Sequence, residues 1–286
     1  MRAFILGASG MLGQAVSSTF ESSGIETYKI SRSATISWDA ASDNLSALLH
    51  SLEISEKDIL VNCIGWIPQK SRGSVAEDES LASLLNVELL RKIAEAQTMH
   101  GFRWLQIGTD CVFRGNLGPH NEASLKDASD LYGRSKVAGE SYAEGAFLLR
   151  ASIVGPDAAS SSGLFEWFRV QPVGAQVSGY INHIWNGVST KVFAEVALGI
   201  ANNYFGEPFA QHLIPLGSAS KHELLMLFAQ RLGRQDVLVT PREHATTLDR
   251  RLATIYPNRN DELWRMAGYS RPQTIEEMVH SIQLGE

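Results

Sequence analysis

Short apolar runs alternate with longer amphipathic stretches through the first half of the chain. Ala3–Leu6 reads as a buried strand and Met11–Ser22 as the helix that follows it. Glu26–Ser31, Asp58–Ile64, Arg103–Gly108 and Ala146–Val154 read as further strands. Between them, Leu81, Leu84, Leu85, Leu89 and Ile93 recur at spacings of three and four, which predicts one apolar helix face within Glu79–Gln97. Strands that are apolar on both sides need helices over both faces, so the pattern predicts a parallel sheet. The right-handed crossover rule then selects an α/β fold, a doubly wound parallel Rossmann-type sheet. After Val154 the pieces shorten. A loop is expected from Gly155 through a serine-rich stretch to Gly163, with helices near Gly163–Val170, Thr190–Asn202, Lys221–Leu232 and Thr274–Leu284 and a strand near His212–Leu216. These predict a smaller α/β C-terminal domain made of about 155–189 and 219–286, with 1–154 plus about 190–218 forming the sheet domain.

Composition narrows the function classes. The chain has 286 residues, 44% hydrophobic and 20% charged, enough for two ordered domains. Its net charge of −6 supplies no global field for a polyanion, so no nucleic-acid partner is expected. Two cysteines, Cys63 and Cys111, cannot form a disulfide framework or a four-cysteine zinc site, and the eight histidines show no ligand spacing, so no metal is expected. With no run of about 18 apolar residues and no signal-like N-terminus, no membrane partner is expected and the cytoplasm is the expected compartment.

The glycines carry the first chemical signal. Gly7-Ala8-Ser9-Gly10-Met11-Leu12-Gly13 joins the first strand to the first helix. A tight turn calls for a residue without a β-carbon, the backbone must approach a pyrophosphate, and the helix N-terminus aims free N–H groups at it. The second strand ends Ile30-Ser31-Arg32-Ser33, with no acid for a ribose 2′-hydroxyl. Arg32 can instead pair with a 2′-phosphate, which favours NADP(H), with NAD(H) as the alternative. Ser9, Met11, Leu12, Asp39, and Cys63, Ile64 and Gly65 at the end of the Asp58–Ile64 strand complete the candidate cofactor surface.

Tyr132 and Lys136 stand four apart, on one face if the segment is helical. An ammonium about 5 Å from the phenol, at an effective dielectric of roughly 20, would favour tyrosinate by about 3 kcal/mol and fit Tyr132 for proton transfer. Thr109 and Asp110 follow the Arg103–Gly108 strand, at the end of the sheet where ligands bind. Asn86 is a polar residue near the buried side of its helix; it either holds a water or a lysine or bonds a neighbouring carbonyl. Trp66, Asp110, His183, Trp185 and Arg250 are candidate substrate contacts, Arg250 as a clamp on a diphosphate. A solvated charge cluster around Arg250 and a packed strand at His183 are the structural alternatives.

Further segments carry a resemblance. Ile107-Gly-Thr-Asp-Cys-Val-Phe-Arg-Gly115, Leu131-Tyr-Gly-Arg-Ser-Lys-Val-Ala-Gly-Glu140, Val61-Asn-Cys-Ile-Gly65, Asn86-Val87, Leu149-Arg-Ala-Ser152, Gly163-Leu-Phe-Glu-Trp-Phe168 and Asn186-Gly-Val-Ser-Thr190 together resemble the extended short-chain dehydrogenases/reductases, in the dTDP-4-dehydrorhamnose reductase-like branch. The resemblance implies a catalytic set of Thr109, Tyr132 and Lys136 with Asn86 in support, also implying NADP(H) or NAD(H). It implies a nucleotide-diphosphate 4-keto-6-deoxyhexose reduced at C4, with Tyr132 as proton donor and the C-terminal domain binding substrate. Gly108 stands where that branch commonly has serine, Cys111 where tyrosine is frequent, and Ile153 near a frequent tryptophan; these departures bear on the sugar rather than on hydride chemistry. The alternatives are an epimerase or dehydratase that retains NAD and a non-catalytic nucleotide-binding regulatory subunit. A homodimer is compatible with all of them.

Overall fold

The computed structural model describes every residue except 72, 158–162, 204–205 and 285–286. β1 (Arg2–Leu6) turns into α1 (Met11–Ser22), followed by β2 (Glu26–Ser31), β3 (Ile36–Ser37), α2 (Leu45–Ser51) and β4 (Ile59–Asn62). α3 (Val75–Ser83), a π-turn at Leu84–Glu88 and α4 (Leu89–His100) cross over to β5 (Arg103–Gly108), and α5 (Leu131–Glu140) crosses to β6 (Phe147–Arg150). β7 (Ile153–Val154), α6 (Leu164–Arg169), β8 (Gln176–Tyr180), β9 (His183–Trp185) and β10 (Val188–Ser189) come next. They precede α7 (Thr190–Asn203), β11 (Ala210–His212), β12 (Ala219–Ser220), α8 (Lys221–Leu232), β13 (Leu238–Arg242), β14 (Leu248–Asp249), α9 (Pro257–Met266) and α10 (Ile275–His280).

Seven strands form one parallel sheet in the order β11-β6-β5-β4-β1-β2-β3. The winding reverses between β1 and β4, which opens a crevice at the carboxyl ends of those strands. Alternation along β1 sorts the core. Ala3 and Ile5 join Val16 and Phe20 of α1 and Val192 and Val196 of α7 on one face. Phe4 and Leu6 join Leu45 and Leu49 of α2 and Leu89 and Ile93 of α4 on the other. The first of these cores continues through Phe165, Phe168, Phe228 and Trp264 into the smaller C-terminal region. That region carries a three-stranded sheet, β12-β9-β14, and the pair β13-β8. No helix among the described residues is long and apolar enough to cross a membrane.

Several elements differ from the sequence expectation for identifiable reasons. Ala146–Val154 is not one strand. The Ser152 carbonyl accepts from the Val188 N–H at 2.8 Å, so the chain leaves the main sheet after Arg150 and pairs β7 with β10. The π-turn adds a residue to the long helix and rotates its buried face, so Leu81 is exposed while Ala82 and Asn86 are buried. The expected strand at His212–Leu216 is Ala210–His212, closed where Glu122 Oε1 accepts the His212 N–H. α10 stops at His280, because the next turn presents the Ile282 carbonyl to the Arg231 guanidinium. α9, β8 and β13 lie in stretches where no element is expected from periodicity. The loop between Gly155 and Gly163 lies partly outside the described residues, at 158–162.

Candidate active site

The glycine turn sits at the carboxyl end of β1. Gly7 has φ +78°, and a β-carbon at Gly13 would stand 2.1 Å from the Gly7 carbonyl oxygen, so α1 can lie against the turn only without one. Gly10 begins α1 with no side chain capping the helix, which leaves its first-turn N–H groups for an external anion. Arg32 is exposed just past β2. Asp39 is occupied by its own turn: its Oδ1 accepts the Ala41 N–H. The Cys63 N–H donates to the Leu6 carbonyl at 2.9 Å, and burial pushes the thiol up to about 12. Ile64 N–H is held by Asn62 Oδ1, and Gly65 lies against Asn86. Uncapped N–H groups, glycines at the two positions where a β-carbon would clash and an exposed Arg32 fit a dinucleotide carrying phosphates.

Thr109 follows β5 and caps the short helical turn Asp110–Val112, its hydroxyl accepting the Cys111 N–H at 3.2 Å. Asp130 caps α5 by accepting the Gly133 N–H at 2.8 Å, which fixes the helix start and puts Tyr132 and Lys136 on one face. Tyr132 reaches the Thr109 side chain. Lys136 is buried, and its ammonium donates to the Ile107 carbonyl at 3.2 Å. Burial and then the Lys136 neighbour Arg150 push this amine below its usual range, against the pull of Glu140. Burial also raises the Tyr132 phenol, and the neighbouring Cys111, Asp110 and Asp130 reinforce the rise. The expectation that Lys136 draws the phenol down is therefore corrected: its ammonium is engaged by the β5 backbone, and desolvation of the phenol dominates.

Asn86 does not hold Lys136 and bonds backbone and a serine instead. Its Oδ1 accepts the Trp66 N–H at 2.9 Å, while its Nδ2 donates to the Trp66 carbonyl at 3.1 Å and to Ser135 Oγ at 2.9 Å. It ties the loop after β4 to α5. Behind α5, Glu140 pairs with buried Arg150 at 2.7 Å, and Arg150 Nη1 lies 2.6 Å from His212 Nε2. His212 Nδ1 faces the Ala253 carbonyl at 2.8 Å, which makes Nδ1 the protonated nitrogen and Nε2 the acceptor. This network links α5, β6, β11 and the segment after β14.

A cleft of about 470 Å³ runs from Met11 and Leu12 at the start of α1, past Thr109, Asp110, Cys111 and Tyr132, to His183, Trp185, Lys221 and Arg250 of the smaller region. Trp185 is fixed by an indole N–H donated to Ser152 Oγ at 2.9 Å. Arg250 is partly engaged, with Nη1 3.4 Å from Cys111 Sγ and Nη2 3.6 Å from Asp130. Burial raises the Asp110 carboxyl against the opposing charge of Arg250. Trp66 departs from expectation: it is buried and does not line the cleft, since Asn86 clamps its peptide inward, and Ile67 and Gln69 take the lining position. Lys221, Ile67, Gln69 and Ser152 were not among the expected contacts; they reach the cleft through pairings distant in sequence.

A family model described as the RmlD substrate binding domain matches residues 1–155. The chain belongs to this family. Relatives include the methionine adenosyltransferase 2 subunit beta of Xenopus laevis, 27% identical over 162 residues, which are 54% of this chain and 47% of that protein. The dTDP-4-dehydrorhamnose reductase of Streptomyces griseus is 30% identical over 140 residues, 49% of this chain and 43% of that protein. The matched stretch thus spans less than half the length of each of these relatives. Among solved structures, a dTDP-4-dehydrorhamnose reductase from Bacillus anthracis in complex with NADP superposes with a TM-score of 0.77 at 18% identity, covering 98% of this chain and 97% of the other. That likeness places this RmlD-family chain in the same fold.

Proposed function

We propose that the protein is an NADP(H)-dependent reductase of a nucleotide-diphosphate 4-keto-6-deoxyhexose. The observation that carries this reading is the meeting of Thr109 and Tyr132 on the wall of a cleft that begins at the glycine turn. A chain of 1–154 plus about 190–218 would hold the cofactor, and 155–189 with 219–286 would hold the substrate. The first turn of α1 and Arg32 would hold the phosphates, and Lys136 the ribose side, while NADPH when bound supplies a hydride. Thr109 donates its hydroxyl to the sugar carbonyl oxygen and orients it toward the Tyr132 phenol. Tyr132 delivers its proton to that oxygen as the alcohol forms. A phenol raised by burial is fully protonated at neutral pH and so starts in the donor state. Asp110 accepts from a neighbouring sugar hydroxyl.

The direct test is to incubate the protein with NADPH and a panel of nucleotide-diphosphate 4-keto-6-deoxyhexoses and follow NADPH oxidation with product analysis. Net oxidation with a 4-hydroxy product supports the reading. Turnover of a nucleotide sugar with no net cofactor change would mark an NAD-retaining epimerase instead. The similarity to a methionine adenosyltransferase subunit favours a second reading, a non-catalytic regulatory subunit. Nucleotide binding without turnover on the panel, with a stable complex to a methionine adenosyltransferase, would establish it.

A further inference from the structure

β9 runs down the middle of the small sheet, antiparallel to β12 and parallel to β14. The pairing Ala219 with Trp185 and Ser220 with Ile184, carried one residue on, sets Lys221 beside His183. The pairing Leu248 with His183 and Asp249 with Ile184, carried on in the same way, sets Arg250 beside Trp185. The period-two alternation of strands then gives Lys221, His183, Trp185 and Arg250 one shared face, and all four line the cleft. The two cations lie two strands and two residues apart, roughly 10 Å or more between α-carbons.

Their surroundings differ. Arg250 has Asp130 at 3.6 Å and bears electrostatically on Asp110 and Cys111, so its counter-charges lie at the catalytic end of the cleft, while its buried Nε has no partner among the described residues. The Lys221 ammonium has no hydrogen bond or ion pair among the described residues. Its charge bears on His183 instead, and burial alone lowers its amine. A half-buried ammonium without a counter-ion, on the wall of a ligand cleft, is stabilised only when a ligand brings an anion. The first turn of α8 leaves it no local acid, because Glu223 is used by the Ser220 capping box.

We propose that Lys221, rather than Arg250, is the residue that receives the anionic oxygen group of the substrate. This rests on the reductase reading and deepens it: that group is the diphosphate of the nucleotide sugar, held against Lys221. Arg250 positions Asp110 and Cys111 near the reacting end.

The test uses the full chain saturated with NADP⁺ and calorimetric titration with UDP, dTDP, UDP-glucose, UDP-glucuronate and uridine. Lys221→Met is expected to weaken the diphosphates at least tenfold, with uridine and NADP⁺ affinity and the melting temperature unchanged, and Lys221→Arg is expected to restore most of the loss. Loss confined to UDP-glucuronate, with UDP, dTDP and UDP-glucose unchanged, overturns the diphosphate assignment. Unchanged affinity of Lys221→Met for all the charged probes overturns it, as does loss of diphosphate binding in Arg250→Met but not in Lys221→Met. A wild-type protein that binds NADP⁺ and none of the nucleotide sugars or diphosphates overturns the reductase reading itself.

Discussion

Gly133 and Cys111 are in contact so close that a β-carbon on Gly133 would lie 2.3 Å from the Cys111 carbonyl oxygen. The contact presses the start of α5 onto the turn that Thr109 caps, and this brings Tyr132 to the Thr109 hydroxyl. Gly133→Ala must push the two elements apart, since a backbone oxygen cannot yield as a side chain can. We expect about 1–3 kcal/mol of lost stability, measured by denaturant unfolding. The kcat of any substrate the wild type reduces should fall about 100-fold, the scale set by ångström misplacement of a catalytic group. An unchanged kcat would show that the Thr109–Tyr132 approach does not matter.

Asn86 makes a second prediction. Asn86→Ala leaves the buried Trp66 N–H and carbonyl and Ser135 Oγ without this partner. Each buried group left unmade costs about 1–3 kcal/mol, so the variant should unfold at distinctly lower denaturant concentration. Asn86→Asp should recover only the Trp66 N–H interaction, and fall between the two. Equal stability of all three proteins would contradict the clamp.

Stability should fall in mild acid. Burial, followed by the charge of Arg150, pushes His212 down to about 4 from an ordinary value of 6.5. The unfolded chain therefore binds the proton first, between pH 6.5 and 4, and stability is lost as the pH falls through that window and levels off below it. The full effect of this one group is about 3 kcal/mol. Glu140, held below its usual range by Arg150 and Lys126, contributes with the same sign at lower pH. His212→Asn should be less stable at neutral pH and show a flatter pH dependence between 6.5 and 4 in thermal melts. An unaltered slope would remove His212 from this role.

Arg32 decides cofactor choice on this account. Arg32→Ala should weaken NADPH about tenfold, or about 1.4 kcal/mol, and leave NADH unchanged, because only NADPH carries the 2′-phosphate. Fluorescence titration of both cofactors reads this directly, and equal loss for the two would contradict it.

How far the sequence discloses these features depends on how local they are. The glycine turn and the Tyr132–Lys136 spacing are legible because each lies within one turn or one helix. The apolar strands are legible because both faces of a parallel strand are buried. Leu81 misleads because a π-turn, invisible to a 3.6-residue period, shifts the face below it. Trp66 misleads because its orientation depends on Asn86, twenty positions away. Lys221 gives no signal at all: a lysine after a capping serine normally faces water, and only the pairing of β12 with β9 turns it to the cleft. α9 is hidden by its polar composition, though Pro257 at its first turn is a start signal.

The central claim is that Tyr132 donates the proton in a hydride transfer to a sugar ketone. The most direct measurement is single-turnover NADPH oxidation by Tyr132→Phe on a nucleotide-diphosphate 4-keto-6-deoxyhexose that the wild type reduces. The account predicts NADPH affinity and folding like the wild type, with the oxidation rate lowered about 10²–10⁴-fold. Oxidation at the wild-type rate would contradict it.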